Sequence, residues 1–382
     1  MTHTRPIWAE VSRGRLLHNF RYLRGLAAPD TELLAVVKAN AYGHGMAACA
    51  AALAGDGCRW FGVTCVEEGV ALRLACPDAR IFIMSGLWHL EAETAIEHRL
   101  TPVVWERPHL GWLEAALQRR GLAAAKFPVH LEIDTGMSRQ GAAPEDLGSL
   151  LDRLGPTSPL RLEAVMTHFH SPENEIATQE QERQLARALE AIAAQGLRPE
   201  FLSVGSSAAA LTQGGSRMAA GARQMGARRM VRPGIALYGY APGPGAAPDL
   251  QPVLAWKTRI VSLREIHPGA VVGYDGTFVA HRKTRVALLP LGYADGLNRL
   301  LSNRGSVLVR GRRASIAGRI SMDHTVVDVT DIPGIERGDE VVLLGEQGTD
   351  RMTADELATA TGTIPYEVLC AIAARVPRVM VD

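Results

Sequence analysis

The sequence has almost no net charge, no closely spaced cysteine pair, few aromatic residues and no long apolar run. Its 41 Lys and Arg residues against 40 Asp and Glu leave a formal charge of +1 over 382 residues. No global field is therefore available to draw in nucleic acid or an anionic membrane surface. No uninterrupted apolar stretch approaches the roughly 18 residues that a spanning helix needs. Met1-Thr2-His3-Thr4-Arg5-Pro6 leads into Ile7-Trp8-Ala9-Glu10-Val11, where Glu10 interrupts any signal-peptide core. A soluble, cytoplasmic protein is expected, with neither nucleic acid nor membrane as partner. The five cysteines (Cys49, Cys58, Cys65, Cys76, Cys370) are an odd number with no Cys-x-x-Cys spacing. They read as small buried hydrophobes in a reducing compartment rather than as a disulfide framework or zinc site. No metal is expected.

What is present is an ordinary globular mixture, 47 % hydrophobic and 21 % charged, which excludes disorder and collagen-like fibres. At about 150 residues per domain the length suggests two or three domains. Short apolar runs alternate with alanine-rich stretches of helical spacing. Strands are predicted over Leu33–Lys38, Trp60–Thr64, Arg80–Ser85, Thr101–Val104, Pro128–Ile133, Leu162–Thr167, Glu200–Val204 and Arg229–Arg232. Helices are predicted between them, over Gly45–Leu53, Val66–Ala75, Pro108–Arg119 and Thr178–Ala194. Eight such units in about 240 residues suit a closed (β/α)8 TIM-type barrel, with an open doubly wound sheet as the competing reading. Beyond Tyr240, the proline- and glycine-rich stretch Ala241–Pro248 reads as a linker. Strands are predicted after it over Val253–Glu265, Thr284–Leu291, Ser306–Arg310, Ala314–Ile320, His324–Val329 and Glu340–Leu344, with helical patterning only near 354–361 and 366–374. The division expected is a barrel over 1–242 and a mainly β C-terminal domain over 243–382.

Active sites in barrels gather at the C-terminal ends of the strands, and polar residues gather there in this sequence. The first strand ends in Lys38, the fifth runs into Asp134-Thr135-Gly136-Met137-Ser138-Arg139, and the sixth ends at Thr167-His168-Phe169-His170. The seventh leads to Gly205-Ser206-Ser207, and the eighth ends in Arg232-Pro233-Gly234. A lysine withdrawn from water loses basicity and becomes a nucleophile toward an aldehyde; the plainer alternative is a strand-end lysine reaching for solvent.

The run Ala35-Val36-Val37-Lys38-Ala39-Asn40-Ala41-Tyr42-Gly43-His44-Gly45 resembles the pyridoxal-phosphate lysine motif of the alanine racemase family. Further blocks resemble that family in order along essentially the whole chain. They are the segments 134–139, 167–169, 207–209, Arg232-Pro233-Gly234-Ile235-Ala236-Leu237-Tyr238-Gly239, Gly292-Tyr293-Ala294-Asp295-Gly296, Ser321-Met322-Asp323 and Tyr366-Glu367-Val368-Leu369-Cys370. The resemblance implies a barrel plus a β domain, pyridoxal 5'-phosphate carried on Lys38, and interconversion of L- and D-alanine. The D-alanine would be made for peptidoglycan or consumed in catabolism. It also implies a head-to-tail homodimer in which the β domain of one chain completes the other chain's site.

By resemblance, Lys38 serves one face of the substrate Cα and Tyr274, in Gly273-Tyr274-Asp275-Gly276, the other. A tyrosine of ordinary pKa, near 10, is a poor base at neutrality, so nearby cations must favour the phenolate, with His168 linking Tyr274 to Arg232. Arg232 stands at the cofactor's ring nitrogen, where it can only donate, so the ring stays unprotonated and side reactions such as transamination are discouraged. Cofactor binding is further assigned to Tyr42, Arg139, His168, Ser207, Gly234, Ile235 and Tyr366. Substrate binding is assigned to Arg139, Met322, Asp323 and Tyr293, the last forming a narrow gate with Tyr366. Where many relatives carry a carbamylated lysine that orients the arginine at 139, this chain has Glu132, which is expected to hold Arg139 directly. Ser206, Leu297-Asn298 and Met380 are further departures from the family pattern. A basic amino-acid decarboxylase of the same barrel type would want an acidic residue at position 232. The remaining alternatives are a racemase of broader specificity and a non-catalytic pyridoxal-phosphate-binding protein, which would have no use for the β domain.

Overall fold

A computed structural model describes residues 4–211, 221–243 and 249–382; residues 244–248 of the expected linker lie outside them. The chain divides into two units, one made of residues 16–41 and 46–251, the other of 1–15, 42–45 and 252–382. β1 (Ile7–Ser12) belongs to the second unit.

In the first unit, eight parallel strands close into a barrel: β2 (Thr31–Val36), β3 (Trp60–Val63), β4 (Arg80–Ile83), β5 (Leu100–Val104), β6 (Phe127–Glu132), β7 (Leu160–Thr167), β8 (Phe201–Val204) and β9 (Arg228–Val231). Closure is made by β2 pairing with β9, Thr31 opposite Arg229, so the barrel holds and the open sheet does not. The strands are rich in apolar residues because both faces are covered; β3, β5 and β8 are buried at every residue. Helices over Met46–Gly55, Val66–Ala75, Arg107–Arg119 and Glu175–Ala194 lie close to the predicted ranges.

The barrel interior also holds a polar cluster. The Glu163 carboxylate, on β7, meets His130 Nε2 at 3.2 Å and accepts from Arg80 and Arg161. Phe82 lies against the His130 ring, and the Arg80 guanidinium lies over Trp60. Among the described residues no helix is long and apolar enough to cross a membrane.

The second unit is a mainly antiparallel sheet. It contains β10 (Leu254–Arg259), β11 (Ser262–Ile266), β14 (Thr284–Leu289), β15 (Ser306–Val309), β16 (Arg312–Ile316), β17 (Thr325–Asp328), β18 (Glu340–Gln347), β19 (Asp350–Met352) and β20 (Arg378–Val381), with the pair β12 (Val271–Val272) and β13 (Phe278–Val279) apart from it. The main order is β11-β14-β17-β16-β15-β18-β10-β1-β20, and β19 pairs with β18. β1 runs antiparallel to β10, Ile7 opposite Thr258, and parallel to β20, Ala9 opposite Arg378. The sequence division had placed these residues with the barrel. Alternation of buried and half-buried residues along β1 is the two-residue period of a sheet with one covered face. The β-rich segment expected over 253–265 is made of two strands, β10 and β11.

Candidate active site

Lys38 stands two residues past β2, half-buried. The chain after it does something that L-residues avoid: Ala39, Asn40, Ala41 and Tyr42 all have φ between 51° and 57°. Each left-handed residue costs roughly 1–2 kcal/mol, so the turn must be held from outside. The Glu68 carboxylate accepts from Ala39 N at 2.7 Å and from Thr64 N at 2.9 Å, tying the turn to the end of β3. Asn40 Oδ1 accepts from Met46 N at 2.8 Å. Strain of this kind collects where a side chain must be aimed.

Arg232, just past β9, is buried. Nη1 donates to Ser203 O at 2.7 Å and Ser203 Oγ at 2.6 Å. Nη2 donates to Thr167 O at 2.8 Å and lies 3.5 Å from His168 Nδ1. Four of the five guanidinium donors are thus committed, and Nε–H remains. Burial pulls this guanidinium down to about 10, opposed by Glu132 and reinforced by Arg139. His168 falls to about 3 through burial, then through the charges of Arg232, Arg139 and Lys38. The imidazole is therefore neutral, and with Nδ1 turned to a donor its proton sits on Nε2. Neither Ser203, the one polar residue in β8, nor Gln181 was singled out from the sequence. Gln181 Nε2 donates to Thr135 Oγ1 and His168 O, while its Oε1 accepts from His170 N, locking the segment after β7.

The loop after β6 is wound on Asp134, whose Oδ1 accepts from the backbone N–H groups of Gly136, Met137 and Ser138. Arg139 is exposed on this loop. Glu132 is buried, and its carboxylate meets Gln140 Nε2 at 2.5 Å; the same Nε2 donates to Met84 O at 2.9 Å. The expected direct pairing of Glu132 with Arg139 is replaced by this amide: Gln140 bridges Glu132 and Met84 O, while Arg139 is exposed. Burial raises the Glu132 pKa, opposed by Gln140 and by the charges of Arg232 and Arg139.

Ser207 opens a short helix, Ser207–Leu211, as its sequence position predicts. Its Oγ accepts from Gly234 N at 2.9 Å and Ala236 N at 3.3 Å, and Ile235 begins the 3₁₀ turn Ile235–Tyr238. Ser207, Gly234 and Ile235 are all buried there. Lys38, His168, Arg232, Ser207, Gly234 and Ile235 thus share the C-terminal end of the barrel.

The remaining residues lie in the second unit. Tyr42 is buried beside Tyr366, ring centroids 6.1 Å apart, and burial raises the pKa of both, so each keeps its hydroxyl proton. Tyr274 caps the turn between β12 and β13 and is 67 % exposed. That turn is pressed against Gly318, where an added Cβ would come within 2.4 Å of Val272 O, and Asp275 pairs with Arg319 Nε at 2.7 Å. Tyr293 and Met322 are also exposed, and Asp323 pairs with Arg375 at 2.7 Å. Cys49, Cys58 and Cys76 are buried as expected, but Cys65 is half-buried and Cys370 exposed on the helix Pro365–Ala371.

A family model described as "Alanine racemase, N-terminal domain" matches residues 11–242, and one described as "Alanine racemase, C-terminal domain" matches residues 253–380. The alanine racemase of Halothermothrix orenii is 39 % identical over 384 residues, spanning 98 % of this chain and 97 % of that protein. That of Sorangium cellulosum is 41 % identical over 387 residues, 98 % of each. Among solved structures, alanine racemase from Streptomyces coelicolor A3(2) superposes with a TM-score of 0.88 at 34 % identity, covering 99 % of this chain and 98 % of its own. Alanine racemase from Bartonella henselae, solved with covalently bound pyridoxal phosphate, gives 0.83 at 30 % identity, covering 98 % and 99 %.

Proposed function

The chain belongs to the alanine racemase family, and on that premise we propose that it interconverts L- and D-alanine with two proton carriers, Lys38 and the partner's Tyr274, on opposite faces of the substrate Cα. Pyridoxal phosphate is the cofactor of the family, and the barrel end fits it. A lysine amine stands there beside buried Arg232 and neutral His168, and the Ser207 Oγ accepts from the Gly234 and Ala236 N–H groups, which leaves its own proton to donate to a phosphate. When bound, pyridoxal phosphate withdraws electrons from the alanine Cα and stabilises negative charge there.

The chain's own residues do the rest. Lys38 would hold the cofactor and, once freed by the substrate amine, carry a proton to or from Cα on one side. Ser207, Gly234 and Ile235 would hold the phosphate, and the family resemblance adds the hydroxyls of Tyr42 and Tyr366. Arg139 and the backbone of Met322 and Asp323 receive the substrate carboxylate, and Tyr293 narrows the entrance with Tyr366. Arg232, with its Nη atoms committed to Ser203, Thr167 and His168, would face the ring nitrogen as a donor that does not readily give up its proton. This observation carries the reading, because a racemase must return the proton to Cα and a fully protonated ring would favour other outcomes. The neutral His168, with its proton on Nε2, can donate toward a phenolate at Tyr274, so the relay is an uncharged imidazole backed by a cation.

Tyr274 and Met322 are large side chains left exposed in a single chain, which supports a homodimer in which the partner covers them. The product suits D-alanine supply for peptidoglycan. L-alanine incubated with the purified holoenzyme should lose its circular dichroism as the two enantiomers equalise; retained optical activity overturns the reading.

A further inference from the structure

Asp295 is a carboxylate with no exposed surface, gripped from both ends of the chain. Arg5 holds it bidentately, Nη1 to Oδ1 and Nη2 to Oδ2 at 2.8 Å each, and Arg375 Nε donates to Oδ1 at 2.7 Å. Gly292 N donates to Oδ2 at 2.9 Å. Four donors, three of them cationic, make the carboxylate a fixed point. Burial pushes its pKa up, but Arg375, Arg5 and the Gly292 N–H outweigh that and hold it below the usual carboxylate range.

The turn built on this point carries Tyr293 and leans on the segment holding Met322 and Asp323. Tyr293 N donates to Ser321 O and Ala294 N to Met322 O, both at 3.0 Å. The approach is so close that a Cβ on Gly292 would fall 2.0 Å from Ser321 O and 2.5 Å from Met322 O. Arg375 then reaches past the turn, and Nη2 donates to Asp323 Oδ1 at 2.7 Å. One guanidinium therefore joins the fixed carboxylate under Tyr293 to the carboxylate at the end of the Ser321–Asp323 segment.

We propose that Arg375 is a positioning residue for substrate binding, setting the Tyr293 turn and the Ser321–Asp323 segment relative to each other through Asp295 and Asp323. The proposal rests on the reading that Met322 and Asp323 meet the substrate carboxylate. It also assigns the Asp323 side chain to Arg375, leaving the backbone of that residue for the substrate. A lysine at 375 carries one ammonium on a flexible stem and cannot span both carboxylates with the planar fork.

In the holoenzyme, Arg375→Lys should raise the alanine KM about tenfold with kcat changed by roughly twofold or less, the size of one weakened charge-assisted hydrogen bond. Asp323→Asn, which leaves the Asp295 grip intact, should do the same. The double variant should cost no more than either single one, since both break one link. Cofactor absorbance and thermal stability of Asp323→Asn should match the parent. Met322→Pro, which removes the backbone N–H of that residue, serves as the check on the underlying reading. A raised KM for Met322→Pro with unchanged KM for Arg375→Lys and Asp323→Asn overturns the proposal and leaves the reading standing. Unchanged KM in all three overturns both.

Discussion

The Nδ1 atom of His168 lies 3.5 Å from Nη2 of Arg232, and that buried guanidinium helps hold the imidazole neutral. Burial is the largest cause of the depression to about 3, and the charges of Arg232, Arg139 and Lys38 deepen it. Replacing Arg232 by glutamine removes one of these cations and leaves the others. The His168 midpoint should then move up toward the ordinary 6.5 without reaching it, as read by a nitrogen-15 histidine NMR titration. An unmoved midpoint contradicts the assignment of Arg232 as a determinant of the imidazole's charge.

Glu132 is a buried carboxylate that interacts through its charge with both Arg139 and Arg232. Glu132→Gln keeps the shape and discards that charge, and should raise the alanine KM about three- to tenfold, equivalent to roughly 0.7–1.4 kcal/mol. Burial raises the Glu132 pKa, so in the parent enzyme KM should climb on the acid side as the group protonates above the usual carboxylate range. The glutamine variant should lack that acid limb. Equal KM values for parent and variant across pH contradict the role.

Acid should weaken the barrel from within. His130 and His168 have folded pKa values depressed below 6.5, so the unfolded chain takes up protons first and stability falls as pH drops below about 6.5. Glu163 is held down to about 2 through His130, Arg80 and Arg161, which outweigh its burial. Its contribution is complete above its ordinary 4.5 and fades as pH falls from there toward 2. The melting temperature should therefore decline in two stages, and Glu163→Gln should flatten the lower one. A melting temperature constant from pH 6.5 to 4 contradicts the burial of neutral histidines.

All eight barrel strands lie within two residues of their predicted positions at both ends, because a parallel strand covered on both faces is dominated by apolar residues. β1 carries no such apolar run: Glu10 interrupts it, and its two-residue alternation makes sense only beside β10 and β20. The chemistry-bearing ends of the barrel strands were legible too: Lys38, His168, Ser207 and Arg232 all stand where the fold gathers polar groups. What was not legible depends on tertiary pairing. Gln181 reaches Thr135 across 46 positions and Arg375 reaches Asp295 across 80, and no local pattern marks either. The left-handed turn over 39–42 is likewise hidden, since alanine carries no sign of positive φ; the outside support from Glu68 makes it possible.

In the proposed function, Lys38 of one chain and the partner's Tyr274 act on the same alanine. That pairing is tested most directly by mixing Lys38→Ala chains with Tyr274→Phe chains, each inactive alone, under conditions in which subunit exchange is demonstrated. Random re-pairing places one intact pair of groups in each mixed dimer, so racemase activity should return to about a quarter of the parent value. No recovery in dimers shown to have exchanged means that each chain builds its site from its own residues, and contradicts the account.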